Sequence, residues 1–164
     1  MLVAMLRYRM KFLLLVFLIV VLTFVKAARN FDRNSEEFKC VMCLCHARTG
    51  CFSRMNCANY SITEDYWDLA GRPTVDETRS SYSDCMKNED CIIQTIWNYT
   101  GRFRNADANC DGKFDCIDRL AIHLFGQNYR NPFFGKSYAE RFNTCNREAN
   151  NSVAPISSEE TGCS

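Results

Sequence analysis

The apolar and polar positions divide the chain into an apolar N-terminal run and a longer part with two strongly periodic segments. The run covers residues 12–25, and three basic side chains precede it. It is short for a membrane span, and the small residues Val25 and Ala27 have the spacing of a signal-peptidase site. We therefore expect residues 1–27 to be a secretory signal peptide. An uncleaved signal anchor is the alternative.

The two periodic segments predict amphipathic helices. Residues 82–103 carry an apolar stripe at roughly helical spacing. A second helix is expected over residues 116–125, where Gly126 ends it. A shorter helix should begin after Thr63, which can cap it, and should end at Gly71.

The remaining segments show neither helical nor strand periodicity. Residues 28–39 are polar and predict a loose leader, and residues 40–63 predict irregular pieces held by disulfides. Residues 127–164 are rich in Asn, Ser and Gly, and favour loops around one short helix at residues 138–142. The pattern predicts one small, mainly helical, disulfide-rich domain over residues 40–164.

The charge balance narrows the choice of partners. Loss of the signal would remove four basic residues and leave 16 basic against 19 acidic side chains, a net charge of −3. Such a surface argues against nucleic acid, whose binding depends on cations that neutralise phosphates. We also expect no membrane contact after signal cleavage and no cofactor. The oligomeric state stays open.

The cysteines favour a secreted disulfide scaffold. All 11 follow the expected signal peptide, and their odd number leaves at least one without a partner in the chain. Four of them lie with a histidine in residues 40–51, which raises zinc as an alternative. No second pair of ligands follows at zinc spacing, so disulfides are favoured.

Three sequons could carry N-linked glycans in a secreted chain. They begin at Asn59, Asn98 and Asn150. The Asn98 sequon lies inside the helix predicted over residues 82–103, which makes it the least suited to modification.

A loop with calcium-like spacing precedes the helix at residues 116–125. Its oxygen-bearing side chains follow the EF-hand pattern at Asp107, Asn109, Asp111, Asp115 and Asp118. The last position is an aspartate instead of the bidentate glutamate. We therefore favour a capped turn at the helix start and expect no metal.

Four motifs occur in a fixed order between Cys40 and His123. They are Cys-x2-Cys-x-Cys-x5-Cys at 40–51, Ile-Thr-x2-Tyr-Trp-x3-Gly-Arg-Pro at 62–73, Cys-x5-Cys at 85–91, and Asn-Cys-Asp-Gly-Lys-Phe-x-Cys-x-Asp-x4-His at 109–123. The series resembles the invertebrate-type lysozymes, which include the leech destabilases. The resemblance implies a lysozyme-like fold, mainly α and at most α+β. It also implies an ancestral antibacterial or digestive muramidase that hydrolyses β-1,4 bonds of peptidoglycan.

The family's catalytic carboxyls are replaced in this sequence. The chemistry needs two carboxyl groups flanking the glycosidic bond, one of them a proton donor. In the family the donor is the glutamate of Cys-x2-Glu-x-Gly-Cys, and this chain has Arg48 there. A guanidinium stays protonated and cannot supply a proton at neutral pH. Residues 52–61, where the second acid would lie, contain no acidic residue and carry Arg54.

The resemblance thus implies weak or lost catalysis, with no catalytic residue to name. Peptidoglycan or another extracellular glycan is the expected partner, held by Arg48 with Tyr60, Tyr66 and Trp67 stacking on sugar rings. Core packing is the alternative for these aromatic side chains. Two other functions stay open. One is a non-catalytic glycan-binding protein, and the other is an isopeptidase as in destabilases, for which no Ser-His-Asp spacing is evident.

The resemblance also implies a disulfide scheme. It pairs Cys45 with Cys51, Cys85 with Cys91, Cys43 with Cys163, Cys40 with Cys116, and Cys110 with Cys145. Cys57 is then the expected free thiol.

Overall fold

A computed structural model describes residues 30–50, 57, 62–130, 132–150 and 155–158. Several predicted features lie outside these residues: the signal peptide at 1–27, Cys51, Arg54, Asn59, Tyr60 and Cys163. The described part of the chain is mainly helical, as predicted, and its only extended pairing is an isolated bridge at Thr74. No helix within it is long and apolar enough to cross a membrane.

Three of the described helices pack against one central helix. The described helices are α1 (Glu36–Thr49), α2 (Glu64–Leu69), α3 (Tyr82–Cys85), α4 (Glu89–Gly101), α5 (Cys116–Phe125) and α6 (Lys136–Glu148). A 3-10 turn at Gly126–Asn128 follows α5. Helix α1 packs against α4, α5 and α6, and α2 packs against α4. The core is therefore built around α1.

A loose leader was predicted for residues 28–39 and irregular pieces for residues 40–63. Both predictions are wrong for residues 36–49, which form helix α1. The Ser35 hydroxyl accepts a hydrogen bond from the Phe38 N–H, and Gly50 ends the helix with a φ of +75°. Its side chains are buried on most sides, including Cys40, Val41, Cys43, Leu44, Cys45 and Ala47. Only a narrow, half-buried side that includes Lys39 and His46 is left, so the amphipathic period is weak in the sequence of α1.

The helix predicted over residues 82–103 is divided into α3 and α4. The Asn88 side chain accepts a hydrogen bond from the Cys91 N–H at 2.9 Å and starts a new helix there. The predictions of α2 with its Thr63 cap and of α5 ended by Gly126 are confirmed. The short helix predicted at residues 138–142 is the middle of the longer α6.

Four disulfides are described in full: Cys40–Cys116, Cys43–Cys145, Cys45–Cys57 and Cys85–Cys91. The first and last are pairs that the sequence analysis expected. The first joins α1 to the start of α5, the second joins α1 to α6, and the last links α3 to the first turn of α4. Three of the four bridges therefore hold α1.

The other expected pairings are wrong. Cys43 does not pair with Cys163, because it lies on the side of α1 that packs against α6, where the Cα of Cys145 is 5.4 Å away. That bridge also rules out a pair between Cys110 and Cys145. Cys110 is disulfide-bonded, and its partner lies outside the described residues.

The bridge between Cys45 and Cys57 contradicts the last two expectations, the Cys45–Cys51 pair and the free thiol at Cys57. Cys45 bonds to Cys57, so it does not pair with Cys51, and Cys57 is not the free thiol. The six-residue spacing from Cys45 to Cys51 suggested a small closed loop. Because Cys45 lies inside a helix that continues to Thr49, no such loop starts there.

Candidate functional site

The position of the family's proton donor lies at the C-terminal end of α1 and carries the exposed Arg48. Its Nη1 donates a 2.6 Å hydrogen bond to the hydroxyl of Tyr138 on α6. On the same helix, Arg141 donates from Nε to the Ala47 carbonyl at 3.0 Å, and its guanidinium lies 5.4 Å from the centroid of the Tyr138 ring. The packing of α1 on α6 therefore fixes two cations beside each other at this end of the molecule.

No carboxylate neutralises these two cations within the described residues. Neither Arg48 nor Arg141 forms an ion pair with any Asp or Glu there. The C-terminal end of a helix favours positive charge, which accounts for an arginine in the last turn of α1. The described side chains around Arg48 thus supply hydrogen-bond donors for an anion and no acid for glycoside hydrolysis.

A buried histidine from α5 completes the surroundings of Arg48. His123 Nδ1 lies 3.1 Å from the Tyr66 hydroxyl. Burial, together with the positive charge of Arg48, lowers the pKa of His123 to about 4. His123 is therefore neutral at pH 7. Burial also raises the pKa of Tyr66 well above its usual value, so its hydroxyl stays protonated.

The arrangement around His123 also bears on nucleophilic catalysis. No described serine, threonine or cysteine side chain is hydrogen-bonded to His123, whose Nε2 has no partner in this part of the structure. A base of this kind needs an adjacent nucleophile. The described residues hold no such pair, and the isopeptidase alternative gains no support from them.

Tyr66 and Trp67, expected to stack on sugars, lie in the core. Tyr66 is 9% exposed and stacks on Tyr99 with the ring centroids 3.7 Å apart. Trp67 is 6% exposed, and its Nε1 donates to the Pro73 carbonyl at 2.9 Å. This is the packing role that the sequence left open, so of the described binding candidates only Arg48 reaches the surface.

The calcium-like loop is held by its own backbone. The Asp107 carboxylate accepts N–H bonds from Asp111 and Gly112, at 3.0 and 2.9 Å. The Asp118 carboxylate accepts N–H bonds from Ala108 and Asp115. Asp115 and Asp118 together form a capping box at the start of α5. Asn109 donates to the Asp111 carboxylate at 3.2 Å. No group of three or more His, Cys, Asp or Glu side chains in the described residues is placed to hold a metal.

Two of the sequon asparagines lie in the described residues, and they differ in accessibility. Asn98 is half-buried within α4, where it donates to the Ala70 carbonyl and accepts a bond from Gln94. Asn150 is exposed immediately after α6. Of the two, only Asn150 offers a side chain that can be modified without loss of these hydrogen bonds.

Tyr138, which holds Arg48, and Arg141, which bonds to the neighbouring Ala47 carbonyl, were not among the site residues that the sequence indicated. Both lie in the short helix predicted at residues 138–142, to which no functional role was assigned. The turn-spaced apolar side chains Tyr138, Phe142 and Cys145 were the available signal, because they repeat at i, i+4 and i+7 along α6.

The helical fold centred on a disulfide-anchored α1 defines a small lysozyme-like domain. A family model described as Destabilase matches residues 37–145, about two thirds of the chain. The chain belongs to this family, the invertebrate-type lysozymes and destabilases. No curated protein and no solved structure matches it.

Proposed function

We propose that this protein is a secreted member of its family that binds peptidoglycan, or another extracellular glycan, with weak or lost hydrolysis. The observation that carries the proposal is Arg48, held by Tyr138 at the end of α1 where the family resemblance expects a protonated glutamate. A guanidinium cannot act as the general acid, whose contribution to rate is typically about 10²–10⁴-fold.

Binding without cleavage fits the chemistry of the same side chains. Arg48 and the neighbouring Arg141 can donate charge-assisted hydrogen bonds to a carboxylate, such as the lactyl group of muramic acid. The dense bridges support secretion, since disulfides persist in oxidising compartments.

The test uses the oxidised chain without residues 1–27, mixed with an insoluble peptidoglycan suspension. We expect the protein to sediment with the peptidoglycan while the turbidity stays constant. Arg48→Glu should weaken sedimentation, because it replaces an anion-binding group by an anion. Arg147→Glu is the matched control, since it makes the same charge change at an exposed position of α6 and should bind like the wild type.

The outcomes separate the parts of the proposal. Rapid clearing of the suspension by the wild type would refute the loss of hydrolysis. Failure of the wild type to sediment would refute glycan binding. Equal binding by both arginine variants would show that Arg48 is not the contact.

A further inference from the structure

A second candidate site lies at the other end of α1 from Arg48. An open cavity of about 940 Å³ is lined by α4, the turn that follows it, the loop before α5, and α5 itself. Its lining residues are Trp97, Asn98, Gly101, Arg102, Arg104, Phe114 and Arg119. A smaller adjoining cavity of about 260 Å³ shares Trp97, Phe114 and Arg119 with it, and the carboxylates of Glu36 and Asp115 also line this smaller part. We call the two together the Arg119 cleft. Glu36 precedes Arg48 by 12 residues on α1, so the smaller cavity reaches a point about 18 Å from Arg48 along the helix axis.

Arg119 is held rigidly between two aromatic rings in this cleft. Its guanidinium carbon lies 3.4 Å from the ring centroid of Trp97 and 4.8 Å from that of Phe114. Nη1 donates to the Thr100 hydroxyl at 2.6 Å and to the Trp97 carbonyl at 3.1 Å. Nε and Nη2 make no hydrogen bond within the described part of the chain. One edge of a positioned guanidinium is therefore left without a partner there.

The charge of Arg119 is also uncompensated at short range. The side chain is only 8% exposed, and no described carboxylate forms an ion pair with it. Buried charges are normally paired, because an unpaired one loses its hydration without replacement. Burial lowers the pKa of Arg119 to about 10. The negative charges of Glu37 and Asp118 and the nearby Tyr66 oppose this effect, and the charge of Arg104 adds slightly to it. Arg119 thus remains a cation at neutral pH.

The wall of the larger cavity concentrates positive charge. Its three charged side chains are all arginines, and Arg102 and Arg104 are exposed. Arg102 also donates to the Leu69 carbonyl at 2.7 Å, which fixes its position. The whole chain has a net charge of only +1. The clustering is therefore local and does not follow from the overall charge.

We propose that the Arg119 cleft binds an acidic saccharide, whose carboxylate or sulfate group is held by Arg119 together with Arg102 and Arg104. Arginine suits this task because its planar fork donates two parallel hydrogen bonds to such an oxyanion. The half-buried rings of Trp97 and Phe114 supply apolar surface beside the cations for the C–H face of a sugar ring. The volume of the larger cavity, about 940 Å³, lies within the range of about 300–1,000 Å³ that is usual for small-ligand sites. Neither Arg48 nor the loss of hydrolysis is needed for this site.

The test measures tryptophan fluorescence during titration with a heparin-derived tetrasaccharide, which is sulfated. The protein is prepared without residues 1–27 and without N-linked glycans. The chain has two tryptophans, and only Trp97 lines the cleft, since Trp67 is buried elsewhere in the core. We expect saturable binding that weakens with added salt, because charged contacts are screened. Titration with a tetragalacturonate, which carries carboxylates only, shows whether the cleft binds carboxylate or sulfate groups. Neutral chitotetraose should not bind.

Three variants connect the binding to the cleft. Arg104→Gln should weaken binding about fivefold or more, since it removes one charge-assisted contact. Arg119→Lys keeps the charge and loses the fork, so it should also bind more weakly. Arg130→Gln is the matched control, because Arg130 is exposed beside the ring of Tyr129, outside the cleft, and its loss should leave binding unchanged.

Two results would overturn the proposal. One is equal loss of binding in Arg104→Gln and Arg130→Gln, which would indicate attraction of a polyanion to the surface in general. The other is the absence of binding to both acidic tetrasaccharides. Since Arg104 is exposed, its variant should fold like the wild type, and a thermal melt checks this independently of binding.

Discussion

At the scale of single residues, Arg48 and His123 differ in their exposure to solvent. Arg48 is exposed and keeps its charge, held by Tyr138, whereas His123 is buried against Tyr66 and loses its proton. The positive charge of Arg48 adds to the effect of burial, since a second cation nearby disfavours imidazolium. The end of α1 therefore holds one permanent cation and one imidazole that would be charged only in acid.

The buried His123 predicts an acid-sensitive stability. Its pKa is about 4 in the folded chain against 6.5 for an ordinary histidine. Between these values the unfolded chain binds the proton more tightly, so the free energy of unfolding decreases as the pH falls. We expect His123 to contribute a loss of about 2 kcal/mol between pH 7 and pH 5. Urea unfolding at both pH values measures it.

Two variants isolate this contribution. His123→Asn keeps a polar group near the Tyr66 hydroxyl without a titrating ring, so it should lose less stability between pH 7 and pH 5 than the wild type. His46→Asn removes the only other histidine and should behave like the wild type. If His123→Asn loses as much stability between pH 7 and pH 5 as the wild type, other groups cause the loss.

At the scale of elements, side-chain caps determine where several helices begin. Ser35, Thr63, Ser81, Asn88 and Asp115 each accept a backbone N–H from the first turn of the helix that follows. Asn88 is the most consequential of these, because it interrupts an apolar stripe that would otherwise suit one long helix. The break lets the Cys85–Cys91 bridge close over the junction.

Removal of the Asn88 cap should destabilise the fold. Asn88→Ala leaves the Cys91 N–H without its side-chain acceptor, and we expect a loss of about 1 kcal/mol in the free energy of unfolding. Denaturant unfolding measures this change. Asn34→Ala is the control, because Asn34 is exposed and precedes α1 without capping it. Equal stability of Asn88→Ala and the wild type would refute the importance of the cap.

At the scale of the whole molecule, α1 is the helix to which the rest is attached. The bridges Cys40–Cys116 and Cys43–Cys145 tie it to α5 and α6 across 76 and 102 residues. Cys85–Cys91 spans only six residues and acts locally. In the chain-entropy account, a bridge that closes a longer loop restricts the unfolded chain more strongly.

The two kinds of bridge should therefore differ in their effect on stability. Replacing both Cys43 and Cys145 by alanine should cost roughly 4–5 kcal/mol, and the same change at Cys85 and Cys91 roughly 2 kcal/mol. All four side chains are buried, so the pairs are matched in the apolar volume removed. Thermal and urea unfolding of the two double variants compares them, and an equal or reversed order would contradict the entropic explanation.

The sequence by itself determined the features that depend on near neighbours. Thr63 and Gly126 mark helix ends through local hydrogen bonds and backbone conformation, and the apolar stripe of α5 predicts that segment to be a helix. The ordered motifs between Cys40 and His123 indicated the family, which the family model confirms over residues 37–145. The sequence also showed directly that Arg48 replaces the expected glutamate, since this depends only on which residue occupies the position.

The tertiary structure decided what depends on residues far apart in the chain. Helix α1 is buried on most sides by α4, α5 and α6, and only a weak amphipathic period remains in its sequence to predict it. Cys43 selects Cys145 because two helices bring them together, and no spacing in the sequence records that approach. The Arg119 cleft likewise forms only where α4 and α5 meet. Local hydrogen bonds fix helix ends, whereas packing in three dimensions fixes partners and cavities.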